Sequence, residues 1–305
     1  MISVNQTINF PNHQGIEIVI KREDLRHPII SGNKLRKLKY NLIHAKTNAC
    51  EGILTFGGAF SNHILASAYA AKINNLQSIG IIRGEELANQ PLNETLKEAQ
   101  SYGMRFEFLT REDYRHKTSN EWLLYFSENF PNYFIIPEGG TNFMAVKGCE
   151  EILTAEDKNF DYICCAVGTG GTISGLINSG AEHQMVLGFP ALKENYLHNE
   201  ISNYTTKSNY QLIRAYHFGG YAKIDQNLIS FMNAFYLKHQ IPLDPIYTGK
   251  MVYGIDQMLA ANYFKPNSKI LIIHTGGLQG INGINQRLKE TKQPLINYYN
   301  AQNKF

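Results

Sequence analysis

An α/β fold of mostly parallel sheets, with helices on both faces, is the class this sequence predicts. Three observations carry that prediction. Short runs rich in Ile and Val recur from one end of the chain to the other. Longer stretches with helical spacing of apolar residues separate them, and turns containing Gly follow several of the runs. Strands buried on both faces read as continuous apolar runs, and parallel neighbours need a crossover between them.

In chain order, "IEIVIKRED" (16–24) reads as a strand and is followed by a helix that begins near Lys34. "GILTF" (52–56) leads through a loop into the Ala-rich helix "SNHILASAYAAKI" (61–73). "SIGIIRG" (78–84) precedes "LNETLKEAQSYG" (92–103), and "RFEFLT" (105–110) precedes a helix around Trp122. "YFIIPEGG" (133–140), "YICCAVG" (162–168), "MVLGFP" (185–190) and "KILIIHTGG" (269–277) continue the rhythm. No internal repeat, low-complexity tract or long linker interrupts it.

The 305 residues suffice for two packed domains or one large α/β unit, and 43% hydrophobic against 18% charged residues is an ordinary globular balance. A formal net charge of +3, without a basic stripe interleaved with aromatics, gives no reason to expect nucleic acid as a partner. The N-terminal segment lacks the charged start, apolar centre and small-residue cleavage site of a signal peptide, and no apolar run approaches the ~20 residues that span a bilayer. A soluble, cytoplasmic protein is therefore expected. Cys50, Cys149, Cys164 and Cys165 show no metal-ligand spacing and read as buried thiols in a reducing compartment.

Ligands of open α/β sheets bind beyond the carboxyl ends of the strands. Four strand exits here carry glycines: "FGGAFSNH", "PEGGTN", "VGTGGTISG" and "HTGGLQG". Each alone is an ordinary tight turn; together they suggest one shared crevice. "VGTGGTISG" follows a strand and opens a helix, which suits a phosphate held by backbone amides. It does not complete the dinucleotide pattern G-x-G-x-x-G, and Leu176 stands where a P-loop has Lys. A nucleotide-dependent oxidoreductase is disfavoured accordingly. What remains is a cradle for a single phosphate monoester, with hydroxyls from Thr169 and Thr172.

"GGAFSNH" offers a second anion site, sized for an amino-acid carboxylate, with Ser61 as N-cap; plain capping of the helix is the alternative reading. His63 by itself reads as a surface histidine. In "GNKLRKLKY", Leu35, Leu38 and Leu42 share one helical face, Arg36 and Lys37 point away from it, and Lys34 lies on its flank. A run of basic residues is usually a solvated surface, yet a flank position partly desolvates an amine. One phosphate cradle, one carboxylate-sized helix terminus and one poised lysine are the three parts that pyridoxal 5'-phosphate needs when it acts on an amino acid.

These motifs, in the order "KRED", "SGNKLRKLKY", "GGAFSNH", the glycine loop, "LDPIYTGK" and "HTGG", resemble the 1-aminocyclopropane-1-carboxylate deaminase and D-cysteine desulfhydrase family. The resemblance runs from about residue 20 to 280. It implies a pyridoxal-phosphate enzyme of the tryptophan-synthase-β fold, with two domains that are each a mostly parallel twisted sheet flanked by helices. The larger domain would comprise 1–40 plus 147–305 and the smaller, inserted one 41–146. Lys34 matches the Schiff-base lysine and is preceded by Asn33. Ser61 matches a serine that binds the substrate carboxylate and shares in proton transfer. Asn62 matches the partner of the cofactor's phenolic oxygen. Gly168, Thr169, Gly170, Gly171 and Thr172 align with the phosphate loop, and Tyr247 with a catalytic tyrosine beside cofactor and substrate. His63 is placed with the substrate, and Thr248 and Thr275 with the cofactor ring. A homodimer acting on a small amino acid is implied, with no metal.

Departures from the ring-opening deaminase pattern separate the subfamilies. Thr248 stands where those enzymes carry Glu, Thr275 where they carry Leu, and Ile272 or Ile273 near the place of a second tyrosine. His63 replaces their usual Gln. Opening cyclopropane starts from an α-carbon with no proton, so it asks for a strong electron sink, and a carboxylate against the pyridine nitrogen strengthens one. Threonine hydroxyls do not. The expected activity is α,β-elimination of the D-cysteine desulfhydrase kind, giving pyruvate, ammonia and sulfide. Ring opening of 1-aminocyclopropane-1-carboxylate is the alternative, and a non-catalytic ligand-binding homologue a distant one.

Overall fold

The computed structural model describes residues 3–10, 14–193 and 196–298. Ten strands are described: β1 (Val4–Ile8), β2 (Glu17–Arg22), β3 (Gly52–Gly57), β4 (Gln77–Arg83), β5 (Met104–Leu109), β6 (Tyr133–Ile136), β7 (Tyr162–Val167), β8 (Met185–Pro190), β9 (Tyr210–Leu212) and β10 (Lys269–Ile273). They form two sheets. The six-stranded one has the order β1-β2-β10-β7-β8-β9, parallel throughout except that β1 runs antiparallel on the edge. The four-stranded one, β5-β4-β3-β6, is all parallel and uses only residues between 52 and 136.

The helices that concern the site are α1 (Asn33–Thr47), α2 (Asn62–Ile73), α3 (Glu94–Ser101), α4 (Arg111–Arg115), α5 (Asn120–Asn129), α6 (Phe143–Glu150), α7 (Gly171–Ser179), α8 (Leu197–Ser202), α9 (Gln226–His239), α10 (Thr248–Ala260) and α11 (Gly280–Glu290). Both sheets are covered on both faces. One core joins β2, β7, β8 and β10 to α9, α10 and α11, and a second joins the opposite face of that sheet to α7 and α8. Around the smaller sheet, α1 and α2 pack on one another and on β3 and β6, while Tyr114 and Phe126 cover the far face. This arrangement is the α/β architecture with parallel sheets that the apolar runs predict. Two strands escape that signal: β1 is polar and largely exposed, and β9 has 3 residues.

Helix α1 differs from its expected exposure. Arg36 and Lys37 are buried, because α1 is wedged between α6, α7 and the smaller sheet and has little solvated face. Each head group is matched instead. Arg36 makes two hydrogen bonds, 2.9 and 3.0 Å, to the fully buried Glu23 carboxylate, which lies just after β2. Cys149, Cys164 and Cys165 are buried free thiols, whereas Cys50 is half-buried. Among the described residues no helix is long and apolar enough to cross a membrane.

Candidate active site

The carboxyl ends of β3, β4, β7 and β10 open onto a cleft of about 550 Å³ between the two sheets, within the usual range of small-molecule sites. All four glycine-bearing strand exits contribute to it. Lys34 sits at its floor. The preceding Gly32 has φ +61°, and a Cβ there would fall 2.0 Å from the Thr275 carbonyl oxygen, so only glycine lets α1 start this close to the β10 exit. Asn33 N–H donates to the same carbonyl at 3.3 Å. By solvent contact Lys34 is only half-buried, yet its amine lies deep among the atoms of the cleft. Burial, and then the charge of Lys37, lowers it from 10.5 to about 7. Lys34 Nζ donates to Asn33 Oδ1 at 3.1 Å, and Asn33 Nδ2 donates to Thr172 Oγ1 at 2.8 Å.

That second bond reaches the glycine loop. Gly168, Thr169, Gly170 and Thr172 line the cleft, and Gly170, at φ +84°, turns the chain into α7. The first amides of a helix have no partner within it, so α7 presents donors and the positive end of its dipole here. Lys37 completes the arrangement and was not anticipated from the sequence. Its Nζ donates to Gly139 O at 3.0 Å, Thr141 Oγ1 at 2.9 Å and Thr169 Oγ1 at 3.3 Å. A Cβ on Gly171 would come within 2.9 Å of Thr141 Oγ1 and 3.2 Å of Lys37 Nζ. The absent side chain leaves room for a ligand's oxygens among these donors. The spacing of Lys34 and Lys37, one turn apart, is a signal that could have found this lysine.

On the opposite wall Ser61 caps α2: its Oγ accepts from His63 N at 3.2 Å and Ile64 N at 3.4 Å, while Ser61 N donates to Gly58 O at 3.0 Å. Capping therefore occupies two of the amides that the sequence offers for a carboxylate. Asn62 faces the cleft, its Nδ2 lying 3.5 Å from Gly277 O. His63 is buried rather than a surface histidine. Thr55 Oγ1 lies 2.8 Å from its Nε2, and burial, followed by the charges of Lys34 and Lys37, holds its imidazole well below the ordinary range.

Tyr247 packs on Gly168, and its phenol pairs with Tyr221, whose ring meets it edge-on at 6.2 Å. Tyr221 comes from "HFGGYAK" (217–223), a segment outside the motifs that carry the family resemblance. Lys250 holds that segment by donating to His217 O at 2.9 Å and Gly220 O at 2.8 Å. Thr275 lines the cleft at the exit of β10. Thr248, expected beside a cofactor ring, is fully buried outside the lining: its hydroxyl is tied to Asp244, with Thr248 Oγ1 2.8 Å from Asp244 Oδ1 and accepting from Asp244 N at 2.8 Å. The Asp244 carboxylate also accepts from the amides of Ile246, Tyr247 and Thr248, so it fixes the start of α10.

A family model for pyridoxal-phosphate dependent enzymes matches residues 4–276. The chain belongs to that family. It is 30% identical over 288 residues to a Pyrococcus abyssi protein provisionally named as a 1-aminocyclopropane-1-carboxylate deaminase, covering 88% of this chain and 86% of the other. It is 29% identical over 295 residues to the Arabidopsis thaliana mitochondrial bifunctional D-cysteine desulfhydrase/1-aminocyclopropane-1-carboxylate deaminase, covering 88% and 74%. A crystal structure of a homologue of 1-aminocyclopropane-1-carboxylate deaminase superposes with a TM-score of 0.81 at 27% identity, covering 95% of this chain and 94% of that one. This pyridoxal-phosphate-dependent enzyme thus groups with the deaminases and desulfhydrases. The donor set of the cleft suits the cofactor: an amine of lowered basicity for its aldehyde, and a cation, hydroxyls and helix amides for one phosphate dianion.

Proposed function

We propose that the enzyme is a D-cysteine desulfhydrase-like lyase that carries out α,β-elimination on a small amino acid. The observation that carries this choice is the shortage of acidic groups. Among the described residues lining the cleft only Glu138 bears a carboxylate, and it is engaged by the Tyr114 hydroxyl at 2.9 Å and Lys117 at 3.0 Å. Asp244 is occupied by α10. Ile272 and Ile273 lie inside the sheet and bring no phenol to the site. The group at the β10 exit is the neutral hydroxyl of Thr275, which does not strengthen an electron sink as a carboxylate does. Elimination from an α-carbon that carries a proton asks less.

In this reading Lys34 carries pyridoxal phosphate, which when bound withdraws electrons from the substrate α-carbon. Lys37, Thr169, Thr172 and the amides of Gly168, Gly170 and Gly171 hold the phosphate. Asn33 orients the lysine, and Asn62 and Thr275 bind the ring. Ser61 and His63 face the substrate beside Tyr247. Once the substrate amine has displaced it from the cofactor, the freed Lys34 amine would take the α-proton, with Ser61 as relay. The Cβ–S bond breaks with its electron pair on sulfur, and water hydrolyses the released three-carbon enamine to pyruvate and ammonia. The division of the chain at 41–146 and assembly as a homodimer belong to the same reading, on the family resemblance.

Ring opening is the second reading, favoured by the names of the Pyrococcus and Arabidopsis relatives. Steady-state assays decide between them. Elimination predicts pyruvate from D-cysteine and little 2-oxobutanoate from 1-aminocyclopropane-1-carboxylate. Efficient turnover of the cyclopropane with none of D-cysteine would reverse the choice.

A further inference from the structure

Arg83 is the last residue of β4 and lines the cleft. Its guanidinium stacks over the buried Tyr114 ring, 6.0 Å from the centroid. A Cβ built on Gly58, in the loop that carries Ser61, would lie 3.8 Å from Arg83 Nη2. The Tyr114 hydroxyl donates to Glu138, so the arginine is braced from beneath by a ring that is itself fixed. No described residue makes a hydrogen bond or an ion pair with the guanidinium, which leaves its planar fork of donors open to an oxyanion.

The charges of the cleft leave this cation over. A phosphate dianion matches Lys37 and the α7 terminus, and Lys34 is consumed by its bond to the aldehyde. Glu138, the acidic side chain of the lining, already has Lys117 at 3.0 Å. A substrate α-carboxylate beside Ser61 meets the positive end of the α2 dipole, although Ser61 Oγ already takes the His63 and Ile64 amides there. Arg83 stands farther out, exposed to solvent at the mouth of the cleft.

We infer that Arg83 is a specificity-determining residue that clamps a second negative charge on the substrate, so that the preferred amino acids carry an oxyanion on the β-substituent that leaves. A phosphate ester, which would expel phosphate, or an S-alkyl thiosulfate, which would expel thiosulfate, has that chemistry. This rests on the elimination reading: the base removes the α-proton, the bond from Cβ to the substituent breaks, and the electron pair departs with the anionic group. No oxidant is required, and water completes the hydrolysis to pyruvate and ammonia.

The test uses holoenzyme and two substrate classes, each as D and L forms. β-Chloroalanine and O-acetylserine are the neutral class, O-phosphoserine and S-sulfocysteine the anionic one. Hydrogen bonds to charged groups predict that Arg83→Gln lowers the ratio of kcat/KM for anionic over neutral substrates about 10- to 100-fold, mainly through KM. Arg83→Lys should restore part of it. In the wild type, added salt should raise KM for the anionic class more than for the neutral one, because the site is open to solvent. An unchanged ratio in Arg83→Gln overturns the inference, whether both classes fall together, as for an α-carboxylate contact, or neither changes. Absence of turnover of even the neutral class would instead overturn the elimination reading. Binding then still tests Arg83: O-phosphoserine should raise the holoenzyme melting temperature more than O-acetylserine, and equal shifts in wild type and Arg83→Gln would refute the clamp.

Discussion

Asn33 and Thr172, 139 positions apart, are joined by a 2.8 Å hydrogen bond from the Asn33 side-chain amide to the threonine hydroxyl. Because Asn33 Oδ1 also accepts from Lys34 Nζ, one side chain ties the reactive amine to the loop that opens α7. The relationship explains why an Asn precedes the lysine. In the proposed site it fixes the spacing between the Lys34 amine and the phosphate loop. Replacing Asn33 by Ala removes both bonds, and at about 1 kcal/mol for each neutral contact and more for the charged one, cofactor affinity should fall about 10- to 50-fold. Titration of apoenzyme with pyridoxal phosphate, followed by the visible band, measures this. An unaltered affinity would show that the link is incidental.

Lys37 faces the Thr141 and Thr169 hydroxyls at 2.9 and 3.3 Å, at the place where a phosphate would sit. Lys37→Gln should weaken pyridoxal phosphate about 10- to 100-fold, since a charge-assisted contact is lost, and should leave pyridoxal, which lacks the phosphate, far less affected. Parallel titrations with the two aldehydes read the difference. Equal losses would assign Lys37 to folding rather than to phosphate binding.

The Lys34 amine titrates at about 7 in the folded protein against 10.5 ordinarily, chiefly because it is buried. The neutral amine attacks the aldehyde, so capture of cofactor by apoenzyme should accelerate as pH rises through about 7 and level off above it. The same shift acts on stability. Between about 7 and 10.5 the unfolded chain holds a proton that the folded apoenzyme does not, so stability from this group rises with pH across that window. Stopped-flow capture rates and urea midpoints, compared with Lys34→Met for the latter, test both signs. A capture rate that keeps climbing beyond pH 9 would contradict the lowered basicity.

Much of the fold was legible because its strands are buried on both faces, which leaves uninterrupted runs such as Ile79 to Ile82 and Ile270 to Ile273. Edge strand β1, polar and exposed, offers no such run. The places of Lys34, Ser61 and the loop at 168–172 around the cleft were readable because turn glycines and a cap announce them. The burial of Arg36, Lys37 and His63 was not. A helical wheel assumes one solvated face, and α1 has little, so its cations are matched by groups distant in sequence: Glu23 for Arg36, Gly139 and Thr141 for Lys37. Thr248 was misplaced for a related reason. Its neighbour in sequence, Tyr247, reaches the cleft, and the start of α10 turns the next side chain inward to Asp244.

The Arg36–Glu23 pair is a structural consequence of that burial. Breaking it by Glu23→Ala strands a buried guanidinium, with Glu151 left 3.5 Å away as a weaker partner, and should cost about 3–5 kcal/mol in apoenzyme stability. Replacing both residues by apolar ones of similar size should recover most of the loss. Urea denaturation of the three proteins checks it, and a single-variant loss below about 1 kcal/mol would remove the pair from the account.

Every role proposed for the cleft depends on a covalent bond between Lys34 and the cofactor. Reconstituted enzyme should be yellow, borohydride should bleach it, and peptide mapping by mass spectrometry should then find the reduced pyridoxyl phosphate on Lys34 and nowhere else. A modified Lys37, a modified surface lysine, or a Lys34→Ala protein that still forms the bleachable band would contradict it.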